Sequence, residues 1–519
     1  MCGIVGQLKT NKQIDPEEFH AMRETLFHRG PDGAGTKFLQ QNHIALGHRR
    51  LSIIDLSQHG KQPMCNEDGT LWLTFNGEIY NFQGIRQVLV QLGHKFKSKT
   101  DSEVLIHGYE EWGIRQLLSR IKGMFAFALW DDANKKLIAA RDRFGMKPFY
   151  YYKDRDQLIF ASEIKAITNA SDVIQELDHE ALADFFIYSY VPNPRSIWKH
   201  VSKLPPAHYL EHDFQSHQTV LQEYWTPGIS DRLLSDTEAV EQANHLIKSA
   251  TSEHMVSDVP VGLFLSGGYD SATLLMHMTD LGYDVSSYSI GFENSDRSEH
   301  RQAQIISDTF HSKHHENILG EEDDPLSVVE DITRYYDEPF AVSSMIPYYH
   351  VSKLAAQHGK VALAGDGGDE VFAGYRWHYF IHDYDKKPNI NKWIRQLIYG
   401  KEAQYLKLYD KWMTGTYELT KKRKFLDQEL QSSIQNRGLY LYEQFNQPQL
   451  DPVKAFQFLD YKTFIAEPCL TRADRSSMAH SLEVRVPFLD HEILEFVFSL
   501  STGVYFKEGV KKHLLKKNL

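Results

Sequence analysis

VPVGLFLSGGYDSATLLMHM, residues 259–278, sets the fold of the second half of the chain. VPVGLFL is a short, nearly unbroken apolar run, which reads as a buried strand, and ATLLMHM reads as a helix. Between them lies the glycine loop SGGYDS, Ser266–Ser271. A strand, a glycine loop and a helix in that order open an α/β unit. The same alternation continues outward. SSYSIGF (286–292) and KVALAG (360–365) read as further strands, and Val240, Ala243, Ile247 and Ala250 carry helical spacing. Strands alternating with helices predict a parallel, doubly wound sheet from about residue 235 onward.

The loop also suggests chemistry. Gly267 and Gly268 let a backbone come close to a ligand, and the helix that follows adds partial positive charge at its N-terminus. Together they make a cradle for a pyrophosphate at the carboxyl end of a strand, with Ser266 and Ser271 as extra donors. Asp270 would repel phosphate unless a cation stood between them, so it reads as a Mg²⁺ ligand. A GxxxxGK[ST] loop is absent from the sequence, which argues against a P-loop ATPase. The plainer alternative is a capped helix after a tight turn. A second loop, AGDGGDE (364–370), follows KVAL and offers Asp366, Asp369 and Glu370 among glycines. One of these carboxylates could complete a magnesium site with Asp270 and another could act as a general base.

The first 165 residues have a different texture. TLWLTF (70–75) alternates, with Leu71, Leu73 and Phe75 on one face. FAFALW (125–130) is apolar on both faces, which predicts an inner strand covered on each side. KLIAA (136–140), FYYY (149–152) and QLIFAS (157–162) extend the β pattern. Residues 83–93 and 102–113 read as helices ending at glycine, so layered sheets with outer helices are expected. Proline and aromatic residues crowd 192–228, which reads as a surface-wrapping linker. Residues 375–465 are helical in pattern and rich in aromatics expected in the core. HSKHHE (311–316) lacks ligand spacing for zinc and reads as a polar loop, and EEDD (321–324) as a solvated helix start.

The 519 residues suffice for two to four domains. Hydrophobic residues make up 42% and charged residues 24%, an ordinary globular balance. A net charge of -12 gives no whole-chain attraction to nucleic acid. Cys2, Cys65 and Cys469 are too scattered for a disulfide framework or a metal knuckle. No signal peptide or bilayer-length apolar run is evident, so a cytoplasmic location and no membrane partner are expected. At the N-terminus stands MCGIVG. Removal of Met1 would leave Cys2 with a thiol and a free α-amine on one residue, a nucleophile and a base together.

In chain order, MCGIVG, HRGPDG (28–33), HRRLSIIDL (48–56), FNGEIYN (75–81), TDSE (100–103), GMFAFALWD (123–131), RDRFGMKP (141–148), SGGYDS, AGDGGDEVFAGY (364–375) and RADRSSMAHSLEVRVPFLD (472–490) resemble the glutamine-dependent asparagine synthetases of the bacterial B type. The likeness runs from Cys2 to about Lys512. It implies a layered αββα N-terminal-nucleophile glutaminase over 2–205, a linker over 206–234, and an ATP-pyrophosphatase-type synthetase with added helices over 235–519. It further implies that Cys2 attacks the glutamine amide with its own amine as base, and that Arg50 clamps the α-carboxylate beside Leu51, Ser52, Ile53 and Ile54. Asn76 and Gly77 form the oxyanion hole, and Glu78 and Asp101 hold the ammonium.

In the second domain the resemblance places Leu265, Ser266, Gly267, Gly268, Asp270, Ser271, Ile290, Ala364 and Gly365 around ATP, with Asp270 and Asp369 on Mg²⁺. Lys512 is placed on the phosphates or acyl-adenylate, and Asp366 assists ammonia attack. Two departures bear on the acceptor. Asp366 stands where the best-known members carry glutamate, and the family usually continues past the helix that ends this sequence at KKHLLKKNL. Aspartate is the expected acceptor. A sugar uronate, a modified peptide, or a non-catalytic assembly role on the same fold remain alternatives. A homodimer is expected from the family.

Overall fold

The computed structural model describes residues 1–293, 298–320, 325–386, 401–413, 426, 428–437 and 440–519. In the N-terminal half the strands are β1 (Gly3–Lys9), β2 (Gly33–Leu39), β3 (Ile44–Arg50), β4 (Met64–Cys65), β5 (Leu71–Ile79), β6 (Gly123–Asp131), β7 (Lys136–Arg141), β8 (Tyr150–Lys153), β9 (Gln157–Ala161), β10 (Val201–Lys203), β11 (His208–Asp213) and β12 (Thr219–Glu223). They form two antiparallel six-stranded sheets, ordered β10-β8-β9-β1-β3-β2 and β12-β11-β7-β6-β5-β4. Helices α1 (Pro16–Glu24) and α4 (Ile164–Thr168) cover the first sheet, and α2 (Phe82–Gln91) and α3 (Glu103–Arg120) cover the second. This is the expected αββα layering.

β6 shows why the layers form. Phe125, Phe127 and Leu129 pack towards α2 and α3, while Ala126, Ala128 and Trp130 pack against Ile4, Leu8, Ile44 and Leu46 of the opposite sheet. A strand with period 2 and apolar residues at every position has no face to give to water. Trp130 is fully buried. At about 25 cal/mol per Å² over the ~150–250 Å² an aromatic buries, its burial favours folding by roughly 4–6 kcal/mol before conformational entropy is counted.

Some expectations change. The helix expected to end at Gly113 continues as α3 to Arg120, with Gly113 at φ 70°, ψ 171° making a break inside it. Glycine tolerates that conformation, and the chain resumes helical geometry beyond it. Within 192–228, β10 joins the first sheet while β11 and β12 extend the second through pairing with β7, so the sheet reaches Glu223.

α5 (His179–Tyr188) leaves the first half to pack on the helix Gln428–Arg437. The second half opens with α6 (Asp236–His254), which Ser235 and Glu238 start with reciprocal capping bonds. Then follow β13 (Val261–Phe264), α7 (Tyr269–Asp280), β14 (Ser286–Phe292), α8 (His300–Phe310), β15 (Lys313–Leu319), α9 (Pro325–Tyr336), α10 (Met345–Ala356), β16 (Val361–Leu363) and β17 (Glu483–Arg485). The five strands are parallel, ordered β15-β14-β13-β16-β17. α7 packs against α6 and α8, and α10 against the helix Leu470–Met478, so two helix groups cover the sheet. HSKHHE is not a loop: its last four residues lie in β15, an edge strand where polar side chains are tolerated. His314 sits between the hydroxyls of Ser287 and Ser289 at 2.8 and 3.0 Å. EEDD lies outside the described residues. Most of the described part of 375–465 is helical, with turn and irregular structure over 444–451, and Tyr409, Tyr442 and Phe456 are buried in it.

A buried charge network joins the halves. Arg29 forks onto Asp474 at 2.8 and 2.9 Å, meets Glu163 at 2.8 Å and donates to the Cys2 carbonyl at 3.1 Å. Arg475 reaches the same Glu163 at 2.8 Å, and Lys203 lies between Glu338 and Glu467 at 2.7 and 3.0 Å. Burial alone would lift the Asp474 carboxyl, yet the Arg29 guanidinium holds it below the usual range. Arg29→Ala would strand Asp474 and Glu163 without their shared cation. It should cost about 3–5 kcal/mol, seen as a lower denaturant midpoint and faster proteolysis between the halves.

Candidate active sites

The first site lies at the start of β1, against the ends of β3 and β5. The Cys2 N–H donates to Asn76 Oδ1 at 2.9 Å, and Cys2 Sγ lies 3.9 Å from the Leu51 carbonyl. The bond from Cys2 fixes which end of the Asn76 amide is oxygen. Its Nδ2 is therefore turned the other way, buried and without a partner. A buried amide donor left unpaired costs stability, and an oxyanion formed beside Cys2 would satisfy it. Gly77 cannot be replaced cheaply: a Cβ there would stand 2.1 Å from the Met124 carbonyl on β6.

Around this point lie more carboxylates than a buried space favours. Glu78, Asp101 and Glu483 are all buried. Burial and its two acidic neighbours push Glu78 well above the usual carboxyl range. Burial lifts Asp101 to about 6, against the pull of the Ile79 N–H that donates to it at 2.7 Å. Glu483 goes the other way, since the Met1 ammonium at 2.8 Å and Arg485 at 2.6 Å outweigh its burial. Burial raises the Cys2 thiol.

Arg50 differs from the free clamp expected of it. Three of its five donors go to the carbonyls of Ser57, at 2.8 Å, Ile54 and Asp55. These bonds fix the plane of the fork and leave two N–H groups for a ligand. Ser52 is tethered by its N–H to Asp32 at 2.8 Å, and Leu51 and Ile53 are buried against Met1, Tyr80 and Met124.

The second site is a cleft of about 370 Å³ at the carboxyl ends of β13, β14 and β16. Leu265, Ser266, Asp270, Ser271, Ile290, Ala364, Gly365, Asp366 and Asp369 all line it, which brings these nine residues to one place. Gly267 and Gly268 belong to the loop that turns into α7, with Gly268 in the N-cap position. The Ser266 and Ser271 hydroxyls bond each other at 3.0 Å, which holds the loop closed upon itself.

Lys512 stands in a left-handed conformation, φ 55°, ψ 36°. It places its ammonium 2.6 Å from Asp270 and 2.7 Å from Asp369. Burial raises the Asp270 carboxyl despite this ammonium. Asp270 Oδ1 is buried and unpartnered, so the pair of carboxylates keeps an oxygen free for a hard cation such as Mg²⁺. Asp366 is held by Arg472 and by the Tyr348 hydroxyl at 3.0 Å, and Arg472 lies over the Tyr348 ring at 4.9 Å.

Sequence reasoning missed several of these groups. Tyr348 sits in a helix with no motif around it. Arg472 opens RADRSS, where its charge beside Cys469 and Asp474 was the available signal. Glu483 reads as an ordinary polar position in a short strand. Arg475 and Arg485 meet Glu163 and Glu483.

Two family models match the chain: a glutamine amidotransferase domain over residues 1–225 and asparagine synthase over residues 242–519. Among curated proteins, the chain is 31% identical to asparagine synthetase [glutamine-hydrolyzing] 1 of Bacillus subtilis (strain 168), covering 100% of this chain and 84% of that protein. It is 30% identical to asparagine synthetase [glutamine-hydrolyzing] 3 of the same organism, again over 100% and 84%. It is 29% identical to the amidase chry2 of Gibberella zeae, over 96% of this chain and 82% of that one.

A Cβ on Gly368 would lie 2.5 Å from the Asp270 carboxyl carbon. Gly368→Ala should therefore displace Asp270 and weaken Mg²⁺–ATP binding by about tenfold or more, measured by calorimetric titration, while leaving the Cys2 site intact.

Proposed function

The chain belongs to the asparagine synthase family joined to a glutamine amidotransferase domain, and from that premise we propose that it uses ATP and glutamine to convert aspartate into asparagine. The observation that carries this reading is the pairing in one chain of an N-terminal cysteine beside an unpaired amide donor with a nucleotide-shaped cleft lined by carboxylates.

Once Met1 is removed, the Cys2 amine takes the thiol proton and the thiolate attacks the glutamine amide carbon. An α-amine, ordinarily of pKa ~8, stands on the same residue as the thiol and takes the proton that burial makes the sulfur hold more tightly. Asn76 Nδ2 and the Gly77 N–H receive the charge on the former carbonyl oxygen. Arg50 holds the substrate carboxylate with its remaining donors, and Glu78 and Asp101 hold its ammonium. The amide nitrogen leaves as ammonia, and water hydrolyses the thioester to glutamate.

In the second cleft, residues of SGGYDS and of the strand ends at Ile290 and Ala364 hold ATP. Mg²⁺, held by Asp270 and Asp369, would neutralise the pyrophosphate while the acceptor carboxylate attacks the α-phosphorus. Lys512 moves from the two aspartates to the phosphates or the acyl-adenylate. Asp366 takes a proton from the attacking ammonia, and AMP departs. A second acceptor is favoured by one feature: Asp366 has the shorter acidic side chain and is bound by Arg472 and Tyr348, which shapes the pocket beside it.

Cys2→Ala should abolish glutamine-driven asparagine formation, by on the order of 10³-fold or more, and leave ammonia-driven formation intact. Aspartate-dependent pyrophosphate release at background level, with release on another carboxylic acid, would replace aspartate as the acceptor. Intact mass of the purified chain should be lighter by one methionine residue.

Asp101 adds a pH dependence. Its carboxyl, lifted to about 6, is charged above that pH and neutral below it. The glutaminase kcat/KM should fall as pH drops through about 6. In Asp101→Asn that limb should vanish, with KM raised by roughly 10–100-fold, the size of one charge-assisted hydrogen bond.

A further inference from the structure

On the helical side of the second sheet, two imidazoles and four carboxylates gather from three chain segments. His94 lies in the turn after α2, His107 and Glu110 lie on α3, and Glu67 lies between β4 and β5. His107 Nδ1 is 3.1 Å from Glu110 Oε2 and 3.9 Å from Glu67 Oε2, and His94 Nδ1 is 3.8 Å from the same Glu110 oxygen. Among the described residues His94, His107 and Glu110 are the one group of three or more such ligand atoms all lying within 4.8 Å of one another, and Glu67 approaches it from the His107 side.

The spacing has a chemical meaning. Zinc bonds to imidazole nitrogen and carboxylate oxygen run about 2.0–2.2 Å, so the edges of a tetrahedral set are about 3.3 Å. The three measured edges, 3.1, 3.8 and 3.9 Å, start within about 0.6 Å of that value, a gap that small side-chain rotations close. The far sides of the ligands are tethered as well. His94 Nε2 meets Glu111 at 3.2 Å, and His107 Nε2 faces Glu103 at 3.6 Å. Glu110 Oε1 accepts from Asn66 at 2.9 Å, and Glu67 Oε1 accepts from the Lys95 N–H at 3.2 Å. Both imidazoles thus present Nδ1 to a common point while a carboxylate holds Nε2, the arrangement that orients metal-binding histidines. His107 is buried and cannot swing away, whereas His94 and Glu67 are partly open to solvent and give an ion its path in.

We propose that His94, His107, Glu110 and Glu67 form a binding site for a divalent transition-metal ion of the zinc class, which fastens the turn after α2 and the β4–β5 turn to α3. Two nitrogens and two oxygens suit zinc or cobalt and do not suit magnesium, which takes oxygens in an octahedron.

The test uses the full chain, stripped with a chelator and titrated with Co²⁺ alone in excess Mg²⁺. The expected result is one equivalent of Co²⁺ with the intense visible absorption of a tetrahedral site, competed by Zn²⁺ and not by Mg²⁺. His94→Gln and Glu67→Gln, both at partly exposed positions, should keep the far-ultraviolet dichroism of the parent. They should weaken Co²⁺ binding by about 100-fold and about 10-fold respectively. Zn²⁺ should raise the unfolding temperature of the parent and not of His94→Gln. Absence of stoichiometric Co²⁺ binding, or equal binding in parent and His94→Gln, would overturn the site.

Discussion

The Arg29 guanidinium is the interaction on which the rest of the molecule depends. It holds the Cys2 carbonyl with one donor and, with the others, a carboxylate from each half of the chain, Glu163 and Asp474. A planar fork suits this use because its donors leave in fixed directions. The Cys2 main chain is therefore positioned by a side chain that is itself positioned by the helix Leu470–Met478 of the synthetase half. Asn76 completes the hold from the sheet side.

The two sites solve opposite electrostatic problems. At the first, buried carboxylates outnumber their partners, so Glu78 and Asp101 are lifted while Arg485 and a chain-terminal ammonium keep Glu483 ionised. Such a cluster is ready for an incoming ammonium, which would supply the missing positive charge. At the second, Lys512 bridges Asp270 and Asp369, so an ammonium already stands between the two carboxylates. The first site is short of positive charge; the second already holds a cation.

How much of this was legible from residues alone follows from how local each cause is. SGGYDS and AGDGGDE announce themselves because strand, glycine loop and helix are adjacent in sequence, and the cleft gathers what they carry. FAFALW revealed a strand covered on both faces because apolarity at every position has one explanation. Arg50 was legible by position and illegible in detail, since its three carbonyl partners are set by the turn that follows it. Glu483 and Asp474 were invisible because their partners Met1 and Arg29 lie 482 and 445 residues away, and Tyr348 because only the packing of α10 on the sheet brings it to Asp366. Polar residues of β15 resemble a loop until the neighbouring strand supplies the ladder. Gly113 looks like a helix end until packing beyond it extends the helix.

β17 has a further consequence. It is the last strand of the synthetase sheet, and period-2 geometry turns Glu483 and Arg485 to the same side, towards Met1 and Glu78 of the other half. Arg485 also braces the carbonyls of His254 and Val256, each at 2.7 Å. The wall behind the Cys2 site is thus encoded nearly five hundred residues after that cysteine. A chimaera that joins this glutaminase to a foreign synthetase would have to import that short strand with it, because the two catalytic modules of this chain share a boundary that neither owns outright.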